Sequence, residues 1–111
     1  MKKCYLLFWA EDYAFGIRLL EQLELYALSP AQEVLTEHRK EIRAARQDDT
    51  TLIYLPANTL LNLNGRFADT ATVYDLETGN EVHLEVVYED GLSKIGLHPF
   101  LSDALYILKH K

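Results

Sequence analysis

The residues best equipped for chemistry lie in two short stretches. The first is Trp9-Ala10-Glu11-Asp12-Tyr13, two carboxylates beside aromatic rings. Glycoside hydrolysis uses two acidic side chains ~5–10 Å apart, one of them able to donate a proton. An aromatic ring beside them can hold a sugar face. Neighbours in sequence, however, point apart on a helix or a strand. Acidic residues are also favoured at a helix N-terminus by the macrodipole, which is the simpler account of Glu11 and Asp12. The second stretch is His83 and Glu85, two apart and therefore on one face of a strand. They could act as base and orienter, as metal ligands, or simply as a polar sheet face. A metal site needs more ligands, and the sequence has no His-Glu-x-x-His or Cys-x-x-Cys pattern. No serine sits in Gly-x-Ser-x-Gly, and Gly65-Arg66 and Gly79-Asn80 read as turns rather than phosphate cradles. No catalytic residue is assigned on these grounds, and neither a metal nor a cofactor is called for.

The remaining reactive types have plainer readings. Seven tyrosines and one tryptophan could include a stacking platform. Tyr54, Tyr74, Tyr88 and Tyr106 all fall in predicted strands, where packing explains them equally well. His38 sits among charged residues on a predicted helix. His98, before Pro99, and His110 have no partner visible in sequence. Cys4, within the apolar run up to Trp9 and Ala10, reads as a small buried residue, free cysteine being among the most buried types.

These side chains belong to a chain of 111 residues, enough for one domain with one core. A hydrophobic share of 49% and a charged share of 25% are ordinary for a globular protein. Eleven Lys and Arg against seventeen Asp and Glu give a net charge of −6. That balance argues against nucleic acid or an anionic membrane as partner, since both need a basic footprint. One cysteine makes no internal disulfide. The apolar run after Lys2-Lys3 stops at Glu11-Asp12 without a cleavage pattern and is far short of the ~20 residues of a spanning helix. A soluble, cytoplasmic protein is expected.

The elements divide near residue 48. Residues 12–28 keep a helical period through Ile17, Leu20, Leu23 and Tyr26, widened by Leu19 and Leu28. Ser29-Pro30 then reads as cap and first residue of a second helix, 30 to about 41, through Val34, Leu35 and His38. Glu41 to Arg46 could be a last helical turn or a first short strand. Beyond the polar break at Gln47-Asp48-Asp49, six strands are predicted, near 51–55, 59–64, 70–76, 81–88, 93–98 and 104–109. Turns fall at Glu77-Thr78-Gly79-Asn80 and Glu89-Asp90-Gly91. Val82, Leu84, Val86 and Tyr88 point one way, and Glu81, His83 and Glu85 the other. The last run is apolar on both faces, which puts it inside a sheet. The expectation is one domain over 1–111, of α+β class but mainly β. A mostly helical segment (1–47) precedes an antiparallel portion (48–111), a six-stranded β-sandwich or partly open barrel.

From Arg43-Ala44-Ala45-Arg46 into Asp48 to Pro56, on through Leu61-Asn62-Leu63 and Val73-Tyr74-Asp75-Leu76-Glu77-Thr78-Gly79, and in the closing Pro99-Phe100 to Asp103–Leu108, the chain resembles a known module. It is similar to the C-terminal β-sandwich of apiosidase-like glycoside hydrolases, the module often called a collagen-binding domain. The resemblance covers residues 43–109 and, more loosely, Gly16 to Pro30. It departs from the family at Tyr74 and Leu105, strands that often carry tryptophan there. The family's catalytic (β/α)₈ barrel takes ~250 residues and does not fit here, so its catalytic carboxylates have no counterpart in this chain.

The resemblance implies a non-catalytic accessory domain of glycoside-hydrolase type, packing on or assisting a carbohydrate-processing enzyme. It would be a relic or paralogue of the module, or the tail of a split enzyme. A glycan or a separate hydrolase chain is the expected partner, with Tyr74, His83 and Glu85 as the ligand-facing residues. A second reading is a small protein-interaction module or homodimer, motivated by the apolar Cys4–Trp9 run. A third, a small hydrolase using Glu11 or Asp12 with Glu85, ranks last.

Overall fold

The computed structural model describes residues 14–25, 27–36, 42–56, 58–101 and 103–111, with side chains from Arg18 onward. The expectations for Cys4, Trp9, Glu11, Asp12 and His38 lie outside these residues. The chain runs α1 (Ala14–Gln22), β1 (Ser29–Pro30), a 3-10 turn (Gln32–Val34), β2 (Arg43–Gln47), β3 (Thr50–Leu55) and β4 (Leu61–Asn64). It continues through β5 (Thr70–Asp75), β6 (Glu81–Glu89), β7 (Leu92–Ile95) and β8 (Ala104–Lys109). The protein is mainly β. All six expected strands are present, and two more, β1 and β2, come from the half read as mostly helical.

The helix expected over 12–28 closes at Gln22. Glu24 takes a φ of 56°. Leu25 N–H reaches back to the Leu20 carbonyl at 2.9 Å, and Glu24 N–H to that of Glu21 at 3.1 Å. This pair of bonds is a Schellman close, with Leu20 and Leu25 packed in one apolar cluster beneath it. Leu23, placed on the inward stripe by the period, is exposed instead.

The second helix, expected from residue 30, does not form in its described part. Ser29 and Pro30 are extended and pair with Arg46 and Ala45. Proline suits an edge strand as well as a first helical turn, because neither position needs its missing N–H. Ala31 N–H then donates to the Ala44 carbonyl at 2.9 Å, which keeps the chain alongside β2 until the single 3-10 turn.

The strands form one antiparallel sheet in the order β1-β2-β3-β8-β5-β6-β7-β4. β6 curls it. Its first half pairs with β5, Glu85 lying opposite Thr70, and its second half with β7, Val86 lying opposite Ile95. The result is a curled half-barrel. The concave side is filled by Ile53, Leu55, Val73, Tyr106 and Leu108 from one part of the sheet and by Leu61, Leu63, Val86 and Ile95 from the other, with Phe67 between. On the convex side, Leu52, Tyr54 and Leu105 are covered by Leu19, Leu20, Leu25 and Leu28. β3 is therefore buried along its whole length, and β8 lies inside the sheet between β3 and β5, as its two apolar faces require.

Segment 31–36 spans the gap between β2 and β4. The Gln32 amide accepts from Ala44 N–H at 2.6 Å and donates to the Ile42 carbonyl at 3.2 Å. On the other side Leu35 bridges to Leu63. There Thr36 donates to the Asn62 carbonyl, and Asn64 to that of Glu33, each at 2.9 Å. The free edge of β4, which would otherwise invite another strand, is covered. Among the described residues, no helix is long and apolar enough to cross a membrane.

Candidate functional site

The three residues singled out from sequence share one surface. On the β5–β6 hairpin, Tyr74 lies opposite Glu81, Thr72 opposite His83 and Thr70 opposite Glu85. Residues directly opposite in an antiparallel pair project to the same side, here the convex side that also carries Leu105 and Ile107. The loop that sets this register is ordered by Asp75, whose carboxylate accepts from Glu77 N–H at 2.9 Å. Gly79 follows at φ 81°, a conformation glycine adopts at little cost.

Tyr74 is half-buried at the margin of the helix-covered layer. Burial, with a smaller push from the Glu81 carboxylate, raises its hydroxyl above the ordinary tyrosine range, so it stays a neutral donor and acceptor. The His83 side chain is 61% exposed, its Nε2 3.5 Å from Glu81. Its Nδ1 lies 3.3 Å from the Thr72 hydroxyl. Glu85 is exposed. Alternate residues along a strand stand ~6.6 Å apart, so the strip from Glu81 to Glu85 is ~13 Å long. The backbone positions of Glu81 and Glu85 thus lie farther apart than the ~5–10 Å carboxylate spacing of glycoside hydrolysis. The strip is open and rich in hydrogen-bond acceptors, with an aromatic residue at one end. It is suited to meeting hydroxyl groups along its length. Among the described residues, no group of three or more His, Cys, Asp or Glu is placed to hold a metal ion.

The other tyrosines divide. Tyr106 is fully buried and Tyr54 nearly so, its hydroxyl donating to Asp103 at 2.5 Å. Tyr88, on the opposite face of β6, keeps 46% of its surface exposed. The Arg66 guanidinium lies over its ring, 5.0 Å from the centroid.

A second polar cluster was not visible in sequence. His98 is buried between β7 and β8. Its main chain is gripped by the Asn58 side chain, which donates to the His98 carbonyl at 2.7 Å and accepts from its N–H at 3.2 Å. Phe100 N–H donates to His98 Nδ1 at 3.1 Å, and the His98 ring meets that of Tyr106 edge-on, with centroids 6.1 Å apart. Near the other end of β8, His110 Nε2 lies 2.9 Å from the Thr51 hydroxyl. Its ring is 4.7 Å from that of Phe67. The only local signal for the first cluster was the dipeptide His98-Pro99 in a loop. Its partner Asn58 is forty residues away.

No family model matches the sequence, and no curated protein sequence matches it. A solved structure described as a glycoside hydrolase is similar in fold, with a TM-score of 0.62 at 18% identity. The similarity covers 83% of this chain and 24% of that one, so this chain corresponds to about a quarter of the hydrolase's length.

Proposed function

We propose that this chain is a non-catalytic accessory domain of glycoside-hydrolase type, of the kind appended to apiosidase-like enzymes, and that it packs on or assists a carbohydrate-processing enzyme. The observation that carries this reading is the partial fold likeness: most of this chain corresponds to a minor part of a much longer hydrolase. A (β/α)₈ barrel of ~250 residues belongs in the unmatched remainder of such an enzyme. The geometry of the β5–β6 strip supports the same reading, since Glu81 and Glu85 are spread along an open face.

Within this reading Tyr74, His83 and Glu85 meet a glycan. Glu85 accepts from sugar hydroxyls, His83 donates or accepts, and Tyr74 bounds the strip. The setting is taken to be the cytoplasm, in keeping with a single cysteine. The test is binding of the full chain to a panel of plant-wall and bacterial oligosaccharides, alongside co-elution with a hydrolase chain encoded nearby. Binding in either arm is expected. Loss of glycan binding in His83→Ala and Glu85→Ala would assign the strip. Silence in both arms would remove the reading.

A second reading, a small interaction module or homodimer, is favoured by one feature. An open groove of ≈ 500 Å³ runs beside β4, β6 and β7, lined by Leu60, Leu84, Val87 and Ile95 with Glu85 and Lys94 also on it. Sedimentation over a range of concentrations tests it, and a strictly monomeric chain would count against the homodimer.

A further inference from the structure

His98 is 4% exposed in a segment where Leu97 is 57% exposed and Leu101 fully so, while Phe100 is partly buried against the core. The segment 97–101 is thus held inward by the buried imidazole, by Phe100 beside it and by Asn58 on the His98 main chain. Phe100 N–H has a single proton to give and points it at Nδ1. Nδ1 must therefore be the bare nitrogen, and the ring proton sits on Nε2. We propose that His98 is a proton-operated latch: as the neutral Nε2–H imidazole it holds segment 97–101 closed over one end of the core, and protonation of Nδ1 releases it.

The chemistry is direct. A proton on Nδ1 turns the acceptor into a donor facing the Phe100 N–H, so that bond is lost. The new charge sits in a nearly dry site, where an ion is costly. The groups around the ring do little to hold it. From β5, Asp75 offers the one opposing charge, but its carboxylate already accepts from Glu77 and Thr78 N–H groups. From β8, Tyr106 presents a hydroxyl that burial pushes up to about 12, so it remains neutral. From the loop after β3, Asn58 is uncharged and engaged with the His98 main chain. Burial, outweighing Asp75, lowers the His98 pKa below its ordinary value of 6.5, which sets the acid threshold of the latch below that of a free histidine. Among the described residues neither His98 Nε2 nor the Tyr106 hydroxyl has a hydrogen-bond partner, which leaves the Nδ1 bond as the ring's one polar anchor.

The test uses the full chain, isotope-labelled. Long-range nitrogen–proton NMR at pH 8 should show the Nε2–H tautomer at His98. Amide exchange should then show the protection factor of Phe100 falling by about tenfold per pH unit below 6.5, as the open state takes up the proton. Low urea should leave Phe100 exchange unchanged, as for a local opening that exposes little surface, while exchange at Ile53 in β3 speeds up with urea. In His98→Asn a side-chain oxygen can replace Nδ1 as acceptor without titrating, and Phe100 protection should become independent of pH. Four results would overturn the latch: an Nδ1–H tautomer, constant Phe100 protection in the wild type, Phe100 exchange as sensitive to urea as that of Ile53, or an unchanged pH dependence in His98→Asn. If that variant does not fold, the wild-type tautomer and exchange data decide alone.

Discussion

Tyr54 and Asp103 are 49 residues apart and meet at 2.5 Å, a hydroxyl donating to a carboxylate at the margin of the buried convex layer. A hydrogen bond to a charged group at such a site is worth more than an average one. Tyr54→Phe should lower the unfolding free energy by about 1.5 kcal/mol, read from urea denaturation at neutral pH; no loss would show the bond to be replaceable by water. Two histidines make stability depend on pH. Burial lowers the pKa of His98, with Asp75 opposing, and lowers that of His110, helped by Arg46 and opposed by Asp49. Both groups bind protons more readily when unfolded, so acid favours unfolding. Their contribution is whole above the ordinary value of 6.5 and is lost as pH falls from there toward the lower folded values. The urea midpoint should accordingly drop between pH 7.5 and 5.5, and drop less in His98→Asn; a midpoint that rose on acidification would contradict the sign. The types of these residues were legible in the sequence but their distant partners were not, because those bonds join separate strands or loops: Asn58 and His98 are 40 positions apart, and Thr51 and His110 are 59.

Elements marked by local chemistry were read with the least error. Asp90-Gly91 closes the β6–β7 hairpin with both residues at positive φ, 55° and 80°, which is the reason an Asp-Gly pair announces such a turn. Alternation along 81–88 and the doubly apolar run at 104–109 gave β6 and β8 within a residue or two. The helical half misled because its stop carries no glycine. Glu24 holds the left-handed position at the end of α1, so the leucine stripe continued past the true end. A non-glycine residue there is strained, and Glu24→Gly should stabilise the fold by about 0.5–1 kcal/mol after allowing for the freer unfolded chain. A thermal melt shifted upward checks this, and a downward shift would show that the turn is not strained. Ser29-Pro30 was ambiguous for a different reason: its chemistry fits a helix start and an edge strand equally, and only pairing with β2 decides. Leu52, buried by α1 on one side and by the sheet around it, should cost about 2–5 kcal/mol when cut to alanine, against little for the exposed Leu23→Ala; comparable losses at both sites would contradict the placement of the helical layer.

At the scale of the whole molecule, the curled sheet has one layer of helix and loop outside and its own far strands inside. Among the described residues, its outer surface includes the polar β5–β6 strip and the open groove by β4. The sequence placed Tyr74, His83 and Glu85 on one hairpin because strand period and turn chemistry are local, and the structure sets them along one face. What the surface meets is not encoded locally, and the functional reading rests on the likeness to part of a hydrolase. The most direct measurement is sedimentation velocity of this chain, alone and mixed with the catalytic chain of a hydrolase encoded nearby, with turnover of aryl glycosides by each sample followed in parallel. The accessory-domain account predicts a saturable complex, with turnover confined to the catalytic chain. Glycoside turnover by this chain alone would contradict the account.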